Sequence, residues 1–451
     1  KGLQWVYGGL RMGGRSYYAL DLSTIDKPTL KFHINPTGTG SDSNPLGYMG
    51  ESWSKPTVTW VNWGGTRKLV MFVGGGYDRT GGDGSGYENP AYDQTNSKGA
   101  GVYMFDAGNG ELLWWASANA GTSTGAATDS GIIKTNDNNL KYSVVSQINA
   151  VDRDADGLSD HLYFGDLGGQ AFRIDLNNKA ATKGAFAKRV VRLYYGHTTG
   201  GASPRFYEIP SFSVHKGVDG MFGVLALSSG NRSSPLAGTN NVSGSTVVNT
   251  TANDAVYVIY DNDVARSDLY SDSITLRTSP ANAGVTLVNA TIENLKAGIA
   301  QTTTTGKVTT YNGGWKYQYH ITPGKYKGMN ELYALDGMLY VNVYHKDGTG
   351  ITGSCGSGVI GDTELYQFCL PTGKCSFYNG STTGVNKVVL GGGILGTGLG
   401  AGYSNKTDES GLIVPRPNTL DCTTDANKNL PQCQLFDTGA RLQHLRWYES
   451  Q

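Results

Sequence analysis

One unit recurs along the chain: an apolar, aromatic-rich strand, an aspartate, a glycine-containing turn and a second strand. The fullest copy is Gly101-Val-Tyr-Met-Phe-Asp106-Ala-Gly-Asn-Gly-Glu-Leu-Leu-Trp114-Trp115. Others are Ser16-Tyr-Tyr-Ala-Leu-Asp21-Leu, Gly169-Gln-Ala-Phe172-Arg-Ile-Asp175-Leu, Ala255-Val-Tyr-Val-Ile-Tyr-Asp261 and Glu331-Leu-Tyr-Ala-Leu-Asp336-Gly. A last copy, Glu364-Leu-Tyr-Gln-Phe-Cys369-Leu-Pro-Thr-Gly373-Lys-Cys, puts cysteine where the others have aspartate. A lone hairpin of this kind cannot bury both of its faces, so the copies must stack on one another, and radial stacking satisfies them all. Each residue type then has a role. The aromatics fill the space between blades, the aspartate accepts hydrogen bonds from turn amides, and glycine takes positive φ.

The markers are unevenly spaced, 33 residues from Asp336 to Cys369 and 86 from Asp175 to Asp261. A regular propeller uses about 40–50 residues per blade. The expectation is therefore an all-β chain, an irregular β-propeller of about seven blades with long loop insertions, in a single domain over residues 1–451. Residues 74–101, 118–139 and 236–252, rich in Gly, Ser, Thr, Asn and Asp, read as the inserted surface loops. Helix signals are confined to residues 290–300.

Composition agrees: 65 of 451 residues are Gly and 27 are Tyr, with only 16% charged. Lys+Arg and Asp+Glu both number 37, so no basic field exists to hold a nucleic acid or an anionic membrane. No apolar run approaches the ~18 residues of a membrane span. The chain opens at Lys1 inside a strand-like segment without leader-peptide features, and is read as a fragment of a longer protein. All five cysteines lie in the last hundred residues. Cys369 and Cys375 flank a tight turn, and Cys422 and Cys433 bracket a polar loop. Two short-range disulfides in an oxidising compartment are expected, with Cys355 left over.

The strongest chemical signal is Asp152-Arg-Asp154-Ala-Asp156-Gly157-Leu158-Ser-Asp160. Carboxylates at positions 1, 3, 5 and 9 with glycine at 6 match the first nine positions of an EF-hand loop. A hard cation needs six to eight oxygens at about 2.3–2.6 Å, and a tight loop turns alternate side chains inward to supply them. Asp152, Asp154, Asp156, the Leu158 carbonyl and Asp160 are the expected ligands of one Ca²⁺, with water completing the shell. Position 12, ordinarily a bidentate Glu, is Tyr163, and strand-like segments flank the loop. It is therefore not a helix-loop-helix sensor. A solvated acidic turn is the alternative, but four carboxylates in nine residues repel one another without a cation.

The run from Ala150 to Leu176, in which that loop leads into Tyr163-Phe-Gly-Asp166-Leu-Gly168 and then Phe172, Arg173 and Asp175, resembles the signature of the PilC/PilY family. Glu51-Ser-Trp53-Ser-Lys55-Pro56 followed by Val70-Met-Phe-Val-Gly74-Gly-Gly76-Tyr77-Asp78 is similar to it too, as is Gly313-Gly-Trp315. The tail, with Arg446-Trp447-Tyr448-Glu449, departs in order from the family's Trp-Arg-Glu ending. The resemblance implies a secreted, non-enzymatic protein. It would pass through the periplasm to the pilus tip or outer membrane, with this propeller as its C-terminal half. It implies pilin subunits and a host-cell receptor as partners, and roles in type IV pilus assembly, calcium-dependent opposition to retraction, adherence, twitching motility and virulence. The Arg-Gly-Asp integrin motif of some members does not occur in the sequence.

Weaker patterns have blander readings. Gly121-Thr-Ser123-Thr-Gly125 has a nucleophile-elbow spacing but no strand before it or helix after it. Gly391-Gly-Gly393-Ile-Leu-Gly396 has a dinucleotide spacing, but the glycine-rich residues that follow cannot open a helix. The seven His show no zinc-ligand spacing. The acidic stretch Asp78, Asp83, Glu88, Asp93 matches no known cation loop. Two alternative functions share the fold. One is a quinoprotein dehydrogenase of the PQQ kind, against which stands the want of an adjacent cysteine pair. The other is a secreted carbohydrate-binding propeller, with Trp315-Lys-Tyr317-Gln-Tyr319 as an aromatic loop.

Overall fold

In a computed structural model the chain is described over residues 2–79, 94, 97–121, 131–199, 203–236, 253–277, 284–306, 308–335, 337–350, 359–375, 386–396, 400–404, 409–413 and 424. Among these residues the strands form five blades, each a small, mostly antiparallel sheet. The first holds Trp5–Gly9, Tyr17–Asp21 and Thr29–Ile34. The second holds Thr57–Trp63, Thr66–Gly74, Val102–Asp106, Leu112–Ser117 and Ile133–Asn136. The third holds Asn149–Val151, His161–Gly165, Gln170–Leu176 and Ala187–Tyr195. The fourth holds Ser211–Gly217, Gly220–Ser228, Ala255–Asp261, Gly314–Gln318 and Val288–Asn289. The fifth holds Tyr326–Gly328, Tyr333–Leu335, Met338–His345, Asp362–Cys369 and Asn386–Gly392.

Five blades replace the expected seven, and the marker spacing says why. The Glu331 and Glu364 copies do not belong to separate blades. Tyr333–Leu335 pairs with Met338–His345, which pairs with Asp362–Cys369, so both copies lie in one sheet. A separation of 33 residues is too short for a blade. Two further hairpins, Thr302–Thr305 with Val308–Tyr311 and Gly400–Ser404 with Glu409–Ile413, stand outside the five sheets. The one α-helix among the described residues, Ile292–Ala297, falls inside 290–300 and is capped by Thr291. It is far too short to span a membrane.

The aromatics do fill the spaces between blades. Trp63, Phe72 and Trp114 of the second blade pack on Phe164 and Phe172 of the third, with Phe186 between them. Tyr163, Leu193 and Phe206 meet Leu225, Tyr257 and Ile259 of the fourth, and Trp315 with Val258 meets Leu339 and Phe368 of the fifth. The marker aspartates cap turns as expected at Asp21 (to Ser23 N, 2.8 Å), Asp106 (to Gly108 N, 2.7 Å) and Asp261 (to Asp263 N, 3.2 Å), and Asp166, outside the repeat, does the same (to Gln170 N, 2.8 Å).

Glycine does its most specific work where successive blades are stitched together. Gly50 N bonds Gly75 O, Gly76 N bonds Val144 O, Leu167 N bonds Ser143 O, Phe206 N bonds Asp166 O and Gly230 N bonds Arg205 O. A Cβ on Gly76, whose φ is 103°, would sit 2.3 Å from Glu51 O, and only glycine lets the backbones approach so closely. At the same junction Trp53, Tyr77, Val145, Leu167 and Tyr207 form a small core drawn from several blades.

The Cys369–Cys375 disulfide is formed across the turn in the fifth blade. Cys355, Cys422, Cys433 and the Arg446–Glu449 tail lie outside the described residues, as do most of the expected loops 74–101 and 236–252. Residues 118–139 are mostly described, and there Ile133–Asn136 forms a strand of the second blade where a loop was expected.

Candidate metal centre

The acidic loop is the connection of a hairpin. Asn149–Val151 and His161–Gly165 pair antiparallel, His161 opposite Val151, and Asp160 N closes the base of the loop onto Val151 O at 2.8 Å. Between them the chain has no room for regular structure, so its amides turn to its own carboxylates. Asp152 accepts from Ala155 N (2.7 Å) and Gly157 N (2.8 Å), and Asp156 accepts from Leu158 N (2.8 Å). Two residues take positive φ to allow this, Gly157 at 84° and Ala155 at 58°. The first is the expected glycine. The second is a conformation that costs a residue with a Cβ roughly 1 kcal/mol or more.

The result brings one carboxylate oxygen from each of Asp152, Asp154 and Asp156 within 4.8 Å of one another. Asp160 stands outside that triplet, at the loop base. Its Oδ2 accepts from Arg153 N (2.9 Å) and its Oδ1 from the Asn178 side chain (3.0 Å). Burial first, then the charges of Asp154 and Asp152, pushes the Asp156 carboxyl above its ordinary range, and burial does the same to Asp160. Each gains from a nearby positive charge. The donor set is all hard oxygen, which fits calcium and not a soft metal. Position 12 offers nothing to this set: Tyr163 is fully buried, and its hydroxyl donates to Asp261 at 3.1 Å.

The loop is braced from three blades. Ser159 N bonds Trp60 O (2.9 Å) on the second blade, and Arg67 reaches the Gly157 carbonyl (3.4 Å) while lying over the Trp60 ring. Asn178, in the turn after Gln170–Leu176, accepts from Asn62 N (2.9 Å) and donates to Ser159 O (3.0 Å) and Asp160. Sequence reading missed Asn178; its only signal is the Asn177-Asn178 pair ending a marker strand. The segment that follows the fourth-blade strand Ala255–Asp261 supplies Arg266 O, to which Arg153 Nη2 donates at 2.6 Å. Asp154, Asp156, Leu158 and Asp160 line a cleft of about 740 Å³ between this loop, residues 176–179 and residues 267–271.

Beneath the loop lies a charged cluster that sequence reading also missed. Arg173 is wholly buried, donating to Asp175 (2.7 Å) on its own strand and to Asp261 on the fourth blade. His161 Nδ1 lies 2.8 Å from Asp175, so Asp175 serves this cluster where Asp21 and Asp106 cap turns, and Asp261 does both. Burial alone would push Asp175 up, but Arg173 and His161 outweigh it and hold the carboxyl far below its usual range.

Other sequence patterns resolve simply. The strand Asn386–Gly392 runs through Gly391, and no helix follows before residue 396, so that glycine run is strand punctuation. Trp315 and Tyr319 are buried in the core between the fourth and fifth blades, and therefore present no aromatic platform to a sugar. Asp78 is buried, while Asp83, Glu88, Asp93 and Ser123 lie outside the described residues.

No protein-family model matches the chain, and no curated protein matches it significantly. Among solved structures, the crystal structure of the Pseudomonas aeruginosa PilY1 C-terminal domain matches with a TM-score of 0.52 at 17% identity, covering 91% of this chain and 78% of that one. The chain shares that fold. Quinohemoprotein alcohol dehydrogenases from Comamonas testosteroni and Pseudomonas putida HK5 match at TM-scores of 0.31 and 0.28 with 12% identity. They cover 81% and 76% of this chain, and 54% of each of theirs.

Proposed function

We propose that this chain is a calcium-binding, non-enzymatic propeller of a type IV pilus protein, exposed at the pilus tip or outer membrane. The observation that carries the reading is the Asp152–Asp154–Asp156 triplet, pre-arranged in a blade hairpin of a fold shared with the PilY1 C-terminal domain. Asp152, Asp154, Asp156 and the Leu158 carbonyl would hold the ion. Asp160 keeps a second lone pair on each oxygen for it, directly or through water. Bound calcium supplies the positive charge that lets these carboxylates converge.

The partners implied are pilin subunits and a host-cell surface receptor, and the role is support of pilus assembly, adherence and twitching, with calcium opposing retraction. The Cys369–Cys375 bridge supports passage through an oxidising compartment. The loop lacks a bidentate position-12 carboxylate, so its affinity is expected in the micromolar to millimolar class of sensor or extracellular sites.

Two measurements test this. Calorimetry on the purified chain should give one calcium site, abolished by Asp154→Ala with Asp156→Ala. Cells carrying that double substitution should secrete a folded protein yet show altered piliation, twitching or adherence. No binding at millimolar calcium removes the site; normal pili with a calcium-blind folded protein remove the regulatory role.

A further inference from the structure

The segment that follows the fourth-blade strand Ala255–Asp261 does not stay with its own blade. Residues 262–277 run back across the third blade as an irregular strap. Its interior is braced: Arg266 pairs with Asp263 (3.1 Å) and Asp268 (2.6 Å) and donates to Thr275 O, and Arg277 N bonds Asp263. Val264 and Leu269 are fully buried beneath it. Its outer part is fixed to the last strand of the third blade, where Arg189 donates to Ser271 O (3.2 Å) and Lys188 pairs with Asp272.

Two side chains tie this strap to the acidic loop. Arg153, between Asp152 and Asp154, donates to Arg266 O. Tyr270 returns the contact. Its hydroxyl donates to Leu176 O at 2.8 Å and lies 3.4 Å from Asp160 O, and its ring stacks on His161. Both side chains are largely removed from solvent, so neither bond is exchanged freely for water. One tie leaves the loop between two carboxylates of the triplet; the other holds Leu176, whose amide donates to the carbonyl of Asp160 at the loop's last position (2.7 Å).

We propose that Arg153 and Tyr270 are positioning residues for the cation, and that docking of the 262–277 strap and filling of the loop are one coupled equilibrium. The inference rests on the calcium reading and adds how that site is regulated. The argument is one of linkage. Gathering Asp152, Asp154 and Asp156 fixes the backbone at residue 153, hence the direction of its guanidinium, hence the acceptor on the strap. A docked strap pre-orders the same backbone before any cation arrives. Whatever the loop gains from a docked strap, the strap gains equally from a filled loop. Calcium would thereby bind the third blade to the fourth, beyond merely closing a hairpin.

The test uses the full chain with calcium chloride as the probe, read by calorimetry and by amide hydrogen exchange with and without chelator. In the unsubstituted protein, calcium should slow exchange at residues 266–271 as well as at 152–160. Tyr270→Phe removes only a hydroxyl and keeps the ring stack, so the protein should fold. It should weaken calcium on the order of fivefold, the equivalent of one neutral hydrogen bond, and shrink the protection of 266–271. Arg153→Met, close in shape, should do the same. Should both variants bind calcium with unchanged affinity, or should calcium slow exchange only within 152–160, the coupling is refuted while the calcium site stands. If the unsubstituted chain binds no calcium at all, the site and the coupling fall together.

Discussion

Two charged sites lie within about twenty residues of each other on the third blade, and they handle charge in opposite ways. The acidic loop gathers Asp152, Asp154 and Asp156 at the surface and satisfies them with its own amides, leaving net negative charge for a cation to neutralise. The Arg173 cluster is sealed from water and carries its own counter-charges in Asp175 and Asp261, with His161 and Tyr163 completing the bonds. A buried charge tolerates no deletion, because removing one partner strands the other in a low dielectric. A surface cluster tolerates deletion well, because water takes over. The difference separates a cluster that seals its own charge from one whose charge is left unbalanced, although both are written in Asp and Arg.

The largest expected effect follows directly. Arg173→Met should destabilise the fold by roughly 3–5 kcal/mol, since Asp175 and Asp261 lose the buried guanidinium that lies between them. Asp154→Asn should change stability without calcium by no more than about 0.5 kcal/mol. Denaturant titration of both variants in chelator measures this contrast. Equal losses would erase the distinction between the two sites.

Calcium comes next in size. At a hundredfold excess over its dissociation constant it should stabilise the unsubstituted chain by about 2.7 kcal/mol. It should add nothing to Asp154→Ala with Asp156→Ala, and chelator should reverse the gain. Thermal unfolding at matched protein concentration reads this.

The two sites should also part company in acid. Asp156 titrates above the usual carboxylate range, so protons compete for it early, and calcium affinity should fall as pH drops toward that range. Asp175 is depressed. Its contribution to stability is complete above the ordinary carboxylate pKa of about 3.9 and is lost only as pH falls below that, through its own lower value. Calorimetry from pH 7 to mildly acidic conditions should therefore show weakening calcium binding in a chain whose fold is unchanged by near-ultraviolet circular dichroism. Loss of tertiary structure ahead of calcium binding would invert the assignment.

How much of this was legible beforehand depends on the range of the interactions. The loop is local: Asp at alternate positions and Gly157 at the turn are within nine residues, so spacing alone reveals them. Cys369–Cys375 is local in the same sense. The Arg173 cluster depends on Asp261, which is 88 residues away and looks like any other marker aspartate at a strand end. Asn178 and the 262–277 strap act through contacts from neighbouring blades, which no periodicity encodes. Blade number failed for a related reason. Repeats count hairpins, whereas blades are sheets, and Tyr333–Leu335 and Asp362–Cys369 share one sheet.

The smallest prediction probes the loop's geometry without touching its charge. Ala155 sits at φ 58°, where a Cβ is crowded, and is held there because its amide bonds Asp152. Glycine at 155 relieves strain of roughly 1 kcal/mol but frees the unfolded chain, at an opposing cost of about 0.5–1 kcal/mol. The net for Ala155→Gly should be a few tenths of a kcal/mol or less, in either direction, in the stability of the calcium-free protein. Ala155→Val has no such offset. A β-branched side chain is a steric outlier at positive φ, so it should weaken calcium binding while leaving the Arg173 cluster and the global fold intact. Calorimetry and denaturant titration on the pair decide the matter. If valine at 155 unfolds the chain as Arg173→Met does, the loop is part of the structural frame and the contrast between the two sites collapses. If it lowers calcium affinity alone, the loop's shape is maintained for its ligand.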